Sequence, residues 1–264
     1  IDLLGLRMLS AVAEAVGHVK HTTGEGLNLD ALTFDDPAIF KMIAEGDTVG
    51  IFQVESRAQA QMQPVLQPRS FADLVIAISL IRPGPLQGDM VHPYLRRRNG
   101  QEPVRYPHAS LKPALRETLG VILFQEQVLK VARDLAGFSA GQGELLRRAL
   151  GRQDAAALDE LQTLFVDKAL AKGVPAETAH EVFDVLRAFG GYSFPKSHAA
   201  AFAVLVYQSA WLKRYHPVAF MAALMNSVLG NSPKIAAYVQ YCREHGIPVL
   251  PPDVNHSAWR FRSE

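Results

Sequence analysis

The chain is short of cysteine. Cys242 is the only one in 264 residues, which excludes an internal disulfide and any metal site built from a cysteine cluster. A single thiol suits a reducing compartment, and a cytoplasmic location is the expectation. Charge of one sign is lacking too: the formal net charge is +1. The chain as a whole is not a polycation, so any nucleic-acid footprint must be local. No apolar run reaches membrane-spanning length, no signal peptide opens the sequence, and no membrane partner is expected. The standard catalytic signatures are missing: there is no phosphate-binding glycine loop of Walker type, no H-E-x-x-H, no G-x-S-x-G and no C-x-x-C. Internal repeats, low-complexity tracts and long disordered linkers are absent as well. The first residue is Ile1, inside an apolar run, and the last is Glu264. Both ends read as cut from something longer.

What is present reads as mainly α-helical, with a few short strands. Leu6, Leu9, Val12, Ala13 and Val16 fall at helical spacing. Asp36-Pro37 is an N-cap followed by proline at the first helical position. Ser70 with Asp73 resembles a capping box before an apolar helix that ends near Ile81. Arg82-Pro83-Gly84-Pro85 is a rigid turn, since two prolines and a glycine forbid helix. Ser139 and Asp154 cap two further helices, Pro175 opens one that runs to Phe189, and Pro217 and Ser232-Pro233 open two more. Val49 to Val54 and Gly120 to Phe124 are the candidate strands. Charge is separated locally. Tyr94 to Arg116 carries Arg96, Arg97, Arg98, Arg105, Lys112 and Arg116 against few acids, whereas residues 28–55 lean acidic. A solvated helix face explains the arginine run as well as a DNA-backbone contact does.

The most informative stretch is Phe189-Gly190-Gly191-Tyr192-Ser193-Phe194-Pro195-Lys196-Ser197-His198. A helix ends at the glycines, an aromatic loop follows, and the next helix begins with Ser197 as the expected N-cap, running to about Tyr215. A helix N-terminus offers unpaired N–H groups and partial positive charge, which favour phosphate. Lys196 adds a full charge, and Ser197 and His198 add donors. A plain helix cap with a solvated lysine accounts for the same residues.

The order of the segments says more than any one of them. Ile1-Asp2-Leu3-Leu4-Gly5-Leu6-Arg7, Gly50 to Arg57, Arg82-Pro83-Gly84-Pro85, Phe124-Gln125-Glu126-Gln127, Leu145-Leu146-Arg147-Arg148-Ala149 and Lys196-Ser197-His198-Ala199-Ala200 follow one another. Tyr207-Gln208, Trp211-Leu212-Lys213 and Leu250-Pro251-Pro252-Asp253-Val254-Asn255 come after them. Together they closely resemble the bacterial C-family DNA polymerases: the alpha subunit of DNA polymerase III and its error-prone relatives. The resemblance covers nearly the whole chain.

The resemblance implies a fragment of a DNA-directed DNA polymerase that transfers nucleotides to a primer end. Residues 1–27 would be the C-terminal end of the palm, with one palm strand. Residues 28–230 would be the helical fingers that bind the incoming nucleotide, and 231–264 a helix and extended segment leading onward. Asp2 matches the third catalytic aspartate of the palm and implies Mg²⁺, a hard ion that takes carboxylate oxygens. The other two acids would precede Ile1, so this fragment alone is expected to be inactive. By motif position Arg147, Arg148, Lys196, Ser197, His198 and Arg82 would face the nucleotide, and Arg96, Arg97 and Arg98 the DNA. Guanidinium suits phosphate, being planar, always charged and bidentate. His198 would lie beside the sugar and exclude a 2′-hydroxyl. The implied partners are primer-template DNA, dNTP and, through regions expected downstream, a sliding clamp and other replisome subunits. Two positions depart from the family pattern: Pro195 stands where Asn is common, and Arg152-Gln153-Asp154 replaces a lysine run. Both leave the main replicase and the error-prone paralogue open, although the late Pro-Pro-Asp-Val-Asn segment is the more replicase-like. A non-catalytic helical module that binds nucleic acid or protein uses the same basic patches and has no need of Asp2.

Overall fold

The computed structural model describes residues 6–81, 91–189 and 194–263. Among them lie thirteen α-helices: α1 Arg7–Thr23, α2 Pro37–Ala44, α3 Arg57–Leu66, α4 Phe71–Leu80, α5 Val91–Arg98, α6 Lys112–Leu115, α7 Gln125–Ala136, α8 Ala140–Arg152, α9 Ala155–Ala171, α10 Ala176–Phe189, α11 Lys196–Tyr215, α12 Pro217–Asn226 and α13 Ser232–Glu244. The helical reading therefore holds, and local signals set many of the boundaries. The Asp36 carboxylate accepts from the Ala38 N–H at 2.8 Å, ahead of Pro37. Ser139 and Gln142 exchange the two bonds of a capping box. Asp154 accepts from the Ala157 N–H. None of the described helices is long and apolar enough to cross a membrane.

The strands are a correction. Among the described residues there is no strand. The apolar run Val49 to Val54 is a chain of turns, because Gly50 and Gln53 take positive φ, 75° and 60°. The Val54 N–H is spent on the Phe52 and Ile51 carbonyls, so no edge is left for a partner strand. The turns still bury Ile51 and Val54 completely. At Gly50 only glycine fits: φ is in the left-handed region and a Cβ would run into the Leu224 side chain. Gly120 to Phe124 is not a strand either, since it makes a single isolated parallel bridge, Phe124 with Phe194. The palm strand expected at the start lies outside the described residues, as do Asp2 and Arg82.

The chain divides into two compact units, residues 1–74 with 201–264, and residues 75–200. In the first, Met8, Ala11, Val12 and Ala15 form one face of α1 and pack with Phe220, Met221 and Leu224 of α12 and Tyr238 and Cys242 of α13. A buried cation ties its loops. The Lys213 ammonium is 3% exposed and donates to the Asp47 carboxylate (2.6 Å) and to the carbonyls of Asp47 and Val49 (3.1 and 2.9 Å). All three of its protons are used, which makes burial of the charge tolerable.

The second unit has its own core, in which Val128, Val131, Ala132 and Leu135 of α7 meet Leu146 and Leu150 of α8 and Phe165 and Phe183 of α9 and α10. α7 and α8 approach closely. Gly143 leaves no side chain between them, and a Cβ there would meet the Leu129 side chain at 3.3 Å.

Candidate functional site

The site is assembled at the start of α7. Gln127 is 1% exposed, and its side-chain amide is fully used. Oε1 accepts from the backbone N–H of Leu123 (2.8 Å) and Phe124 (2.9 Å), while Nε2 donates to the Thr118 hydroxyl (2.7 Å) and the Ala114 carbonyl (3.3 Å). The two N–H donors fix which end of the amide is oxygen. Thr118 in turn donates to the Val121 carbonyl at 2.6 Å. This network holds residues 119–124 in place without helix or sheet.

Leu123 and Phe124 then position the entry to α11. The Phe194 N–H donates to the Leu123 carbonyl (3.2 Å), and the Gln125 N–H to the Phe194 carbonyl (3.0 Å). Two residues on, the Lys196 N–H donates to both oxygens of Glu126, at 3.2 and 3.0 Å. The helix starts at Lys196, with the Ala199 N–H bonded to the Pro195 carbonyl. Ser197 is thus the second helical residue, exposed, and not the N-cap. The anion at this helix end is the Glu126 carboxylate, placed by α7 where the helix dipole favours negative charge. The Lys196 ammonium pairs with Glu117 and lies 5.6 Å from the centre of the Phe124 ring. The His198 ring meets Phe194 at 5.2 Å between centroids, inclined at 62°.

On α8, Arg147 and Arg148 share one acid. Arg147 grips Glu144 through Nε and Nη2 (2.8 and 2.7 Å), and Arg148 adds its Nε at 2.9 Å. These bonds pull the Glu144 carboxyl down to about 2, and its bond to Glu144 raises Arg147. The basic run on α5 is less uniform than its sequence. Arg96 and Arg97 both donate to Glu102 at 2.9 Å, holding that carboxyl below its usual range. Arg97 is mostly buried and also donates to the Leu119 carbonyl at 2.8 Å, so it braces the 119–124 loop. Arg98 reaches the Tyr94 hydroxyl at 3.4 Å, and Arg96 is the more exposed of the Glu102 pair.

Lys196, Ser197, His198, Arg147, Arg148 and Arg96 to Arg98 therefore all belong to one compact unit. The acids that meet them are Glu144, Glu102, Glu117 and Glu126. Glu144 carries a signal, an acid three and four residues before the arginines. Glu126 belongs to the Phe124-Gln125-Glu126-Gln127 motif, but no local spacing ties it or Glu117 to Lys196, 70 and 79 residues away. Among the described residues no group of three or more His, Cys, Asp or Glu is placed to hold a metal.

The model of the bacterial DNA polymerase III alpha subunit finger domain matches residues 8–173, well over half of the sequence. The chain belongs to this family. It is 46% identical over 258 residues to the error-prone DNA polymerase of Teredinibacter turnerae, covering 97% of this chain and 25% of that protein. Identity is 48% over 258 residues to the error-prone DNA polymerase of Mycolicibacterium paratuberculosis, with 97% and 24% covered. To that of Methylococcus capsulatus it is 45% over 260 residues, with 98% and 25% covered. The chain spans about a quarter of the length of these curated relatives. The finger match includes Arg147, Arg148 and the α5 arginines. Lys196 to His198 lie beyond it but inside the stretches shared with the relatives.

Proposed function

We propose that this chain is the fingers portion of a DNA-directed DNA polymerase and that its second unit holds the triphosphate of the incoming dNTP. The observation that carries the reading is the convergence of Arg147 and Arg148 on one carboxylate, within the segment that matches the finger family. Two guanidinium groups that both reach Glu144 also reach a common phosphate. Gly143 of α8 packs on Leu129 of α7. The two helices are joined by only three residues, so one turn further along α8 brings Arg147 towards the N-terminal end of α7. That end carries Glu126, which meets α11 at Lys196. The cations of α8 and α11 then serve one polyanion.

In this reading Arg147, Arg148 and Lys196 bind and orient the triphosphate and neutralise the charge that grows on the leaving pyrophosphate. Lys196 is in a partly exposed ion pair with Glu117, and such a pair is weak enough in water to yield to a more highly charged partner. Ser197 and Arg82 supply further donors, and His198 lies against the sugar. Arg96 and Arg98 contact the DNA backbone in a sequence-independent, salt-sensitive way, while Arg97 braces the loop at Leu119. Asp2 is one of the acids that hold Mg²⁺ in the palm, so Asp2→Asn in the longer polymerase removes primer extension. Residues 28–230 are the fingers, flanked by the palm end and a connecting segment. The names of the curated relatives favour the error-prone paralogue over the main replicase. Clamp and replisome contacts belong to parts of the protein outside this chain.

The test is steady-state primer extension with varied dNTP. Arg147→Ala or Arg148→Ala in the longer polymerase raises the dNTP KM while primer-template affinity stays within about twofold. One charged hydrogen bond lost corresponds to roughly 1.5–3 kcal/mol. An unchanged dNTP dependence in both variants refutes the assignment and favours a non-catalytic binding module.

A further inference from the structure

We propose that Glu144 is a positioning residue that splints Arg147 and Arg148 onto one side of α8, so that a triphosphate meets a preset pair of guanidinium groups. This rests on the reading above and goes beyond it, since Glu144 touches no phosphate. Side chains at adjacent helical positions leave the axis roughly 100° apart. Left alone, the two arginines would point to different places and sample many rotamers. Glu144 stands three residues before one and four before the other, the two spacings that bring a helical side chain alongside. It takes Arg147 by two donors and Arg148 by one. Among the described residues it is the only acid in an ion pair with either.

The geometry points to a splint and not to a stand-in that the nucleotide must expel. Glu144 engages Arg147 along the Nε–Nη2 edge and Arg148 at Nε. The Nη1 groups of both arginines and Nη2 of Arg148 make no bond to Glu144, so phosphate oxygens can dock there while the carboxylate keeps its hold. The arginines are 32% and 61% exposed, so neither guanidinium is sealed from an arriving anion. The carboxyl, held down to about 2, stays ionised throughout the working pH range, and the splint does not switch.

The experiment is primer extension by the longer polymerase chain carrying Glu144→Gln, beside wild type, Arg147→Ala, Arg148→Ala, the variant with both arginines replaced, and the triple variant that adds Glu144→Gln to it. Glutamine keeps the shape and loses the charge that holds two cations. The splint predicts that the dNTP KM rises about three- to tenfold, the entropy of re-ordering one or two long side chains. It also predicts that kcat stays within about twofold and that Glu144→Gln adds nothing once both arginines are alanine. Glu144→Asp, which keeps the charge, falls between wild type and Glu144→Gln. A KM that is unchanged or lower in Glu144→Gln, with the arginine variants impaired as expected, overturns the splint and leaves the triphosphate assignment standing. Arginine variants with normal dNTP dependence overturn both. Circular dichroism of Glu144→Gln, expected to match wild type, excludes a folding defect as the cause.

Discussion

Gln127 is where the fold of the second unit and the candidate site can be broken together. The perturbation is Gln127→Leu, close in size and without the amide. It strips the side-chain acceptor from the Leu123 and Phe124 N–H groups and the side-chain donor from the Ala114 carbonyl and Thr118. A buried N–H left without its acceptor costs about 1–3 kcal/mol. Two such losses come to about 2–6 kcal/mol, and the added apolar burial of leucine returns roughly 1–2 kcal/mol. The net expectation is about 1–4 kcal/mol of lost stability in the second unit. Because the chain has two units, a global melt would blur the effect, and amide hydrogen exchange is the better assay. The Leu123 and Phe124 amides should exchange about ten- to a hundredfold faster, on the scale of the lost bonds. The α7–α8 core should follow in denaturant, while the α1–α12 core stays unchanged. Gln127→Glu sharpens the test. It keeps an oxygen towards the two N–H groups but turns a second one onto the Ala114 carbonyl. Burial disfavours the charged form, so the deficit is largest at neutral pH and shrinks as the carboxyl is protonated on acidification. Wild-type exchange at Phe124 in Gln127→Leu would show that the loop is held by something else.

Two further predictions concern other parts of the molecule. Burial, together with the adjacent Glu55 and Asp47 carboxylates, pushes the Tyr238 and Tyr241 hydroxyls well above the ordinary tyrosine range. A folded-state value raised above the unfolded one stabilises the fold below about pH 10, and that contribution is lost as pH rises further. Ultraviolet titration should therefore show these two of the seven tyrosines ionising only as the first unit unfolds; full ionisation near pH 10 with the helices intact contradicts it. His198→Ala in the longer polymerase should raise rNTP use relative to dNTP, because a smaller side chain relieves a clash with the 2′-hydroxyl even as the contact with Phe194 is lost. The ratio of kcat/KM for matching nucleotide pairs reads it directly, and a constant ratio with both rates reduced would reassign His198 to packing on Phe194.

Much of the helical framework was legible because its signals are local. Asp36-Pro37, Ser139 with Gln142, and Asp154 announce helices within a few residues, and the same contacts are found in the fold. The strands were misread for a related reason. An apolar run of six residues at 49–54 fits a buried strand by composition, yet the positive φ of Gln53 is set by its surroundings and has no sequence mark. The arginine pair could be found from its motif, and Glu144 from its spacing. The partners of Lys196 could not, because Glu126, which takes its N–H, and Glu117, which takes its ammonium, stand 70 and 79 residues away. Ser197 looked like the cap because serine usually is one; here a carboxylate from α7 takes the first N–H instead. Three arginines in a row on α5 read as equivalent, and only the fold shows Arg97 turned to the Leu119 carbonyl.

The claim that the second unit receives the triphosphate is tested most directly by photo-crosslinking. A dNTP carrying an aryl azide on its γ-phosphate is bound to the longer polymerase on primer-template and irradiated, and the labelled peptides are mapped by mass spectrometry. The account predicts label on the α8 peptide that contains Arg147 and Arg148 and on the peptide from Phe194 to Ala200, with both signals suppressed by excess unmodified dNTP. Competable label confined to residues 6–74 and 201–263, with none on α8 or the start of α11, would contradict it.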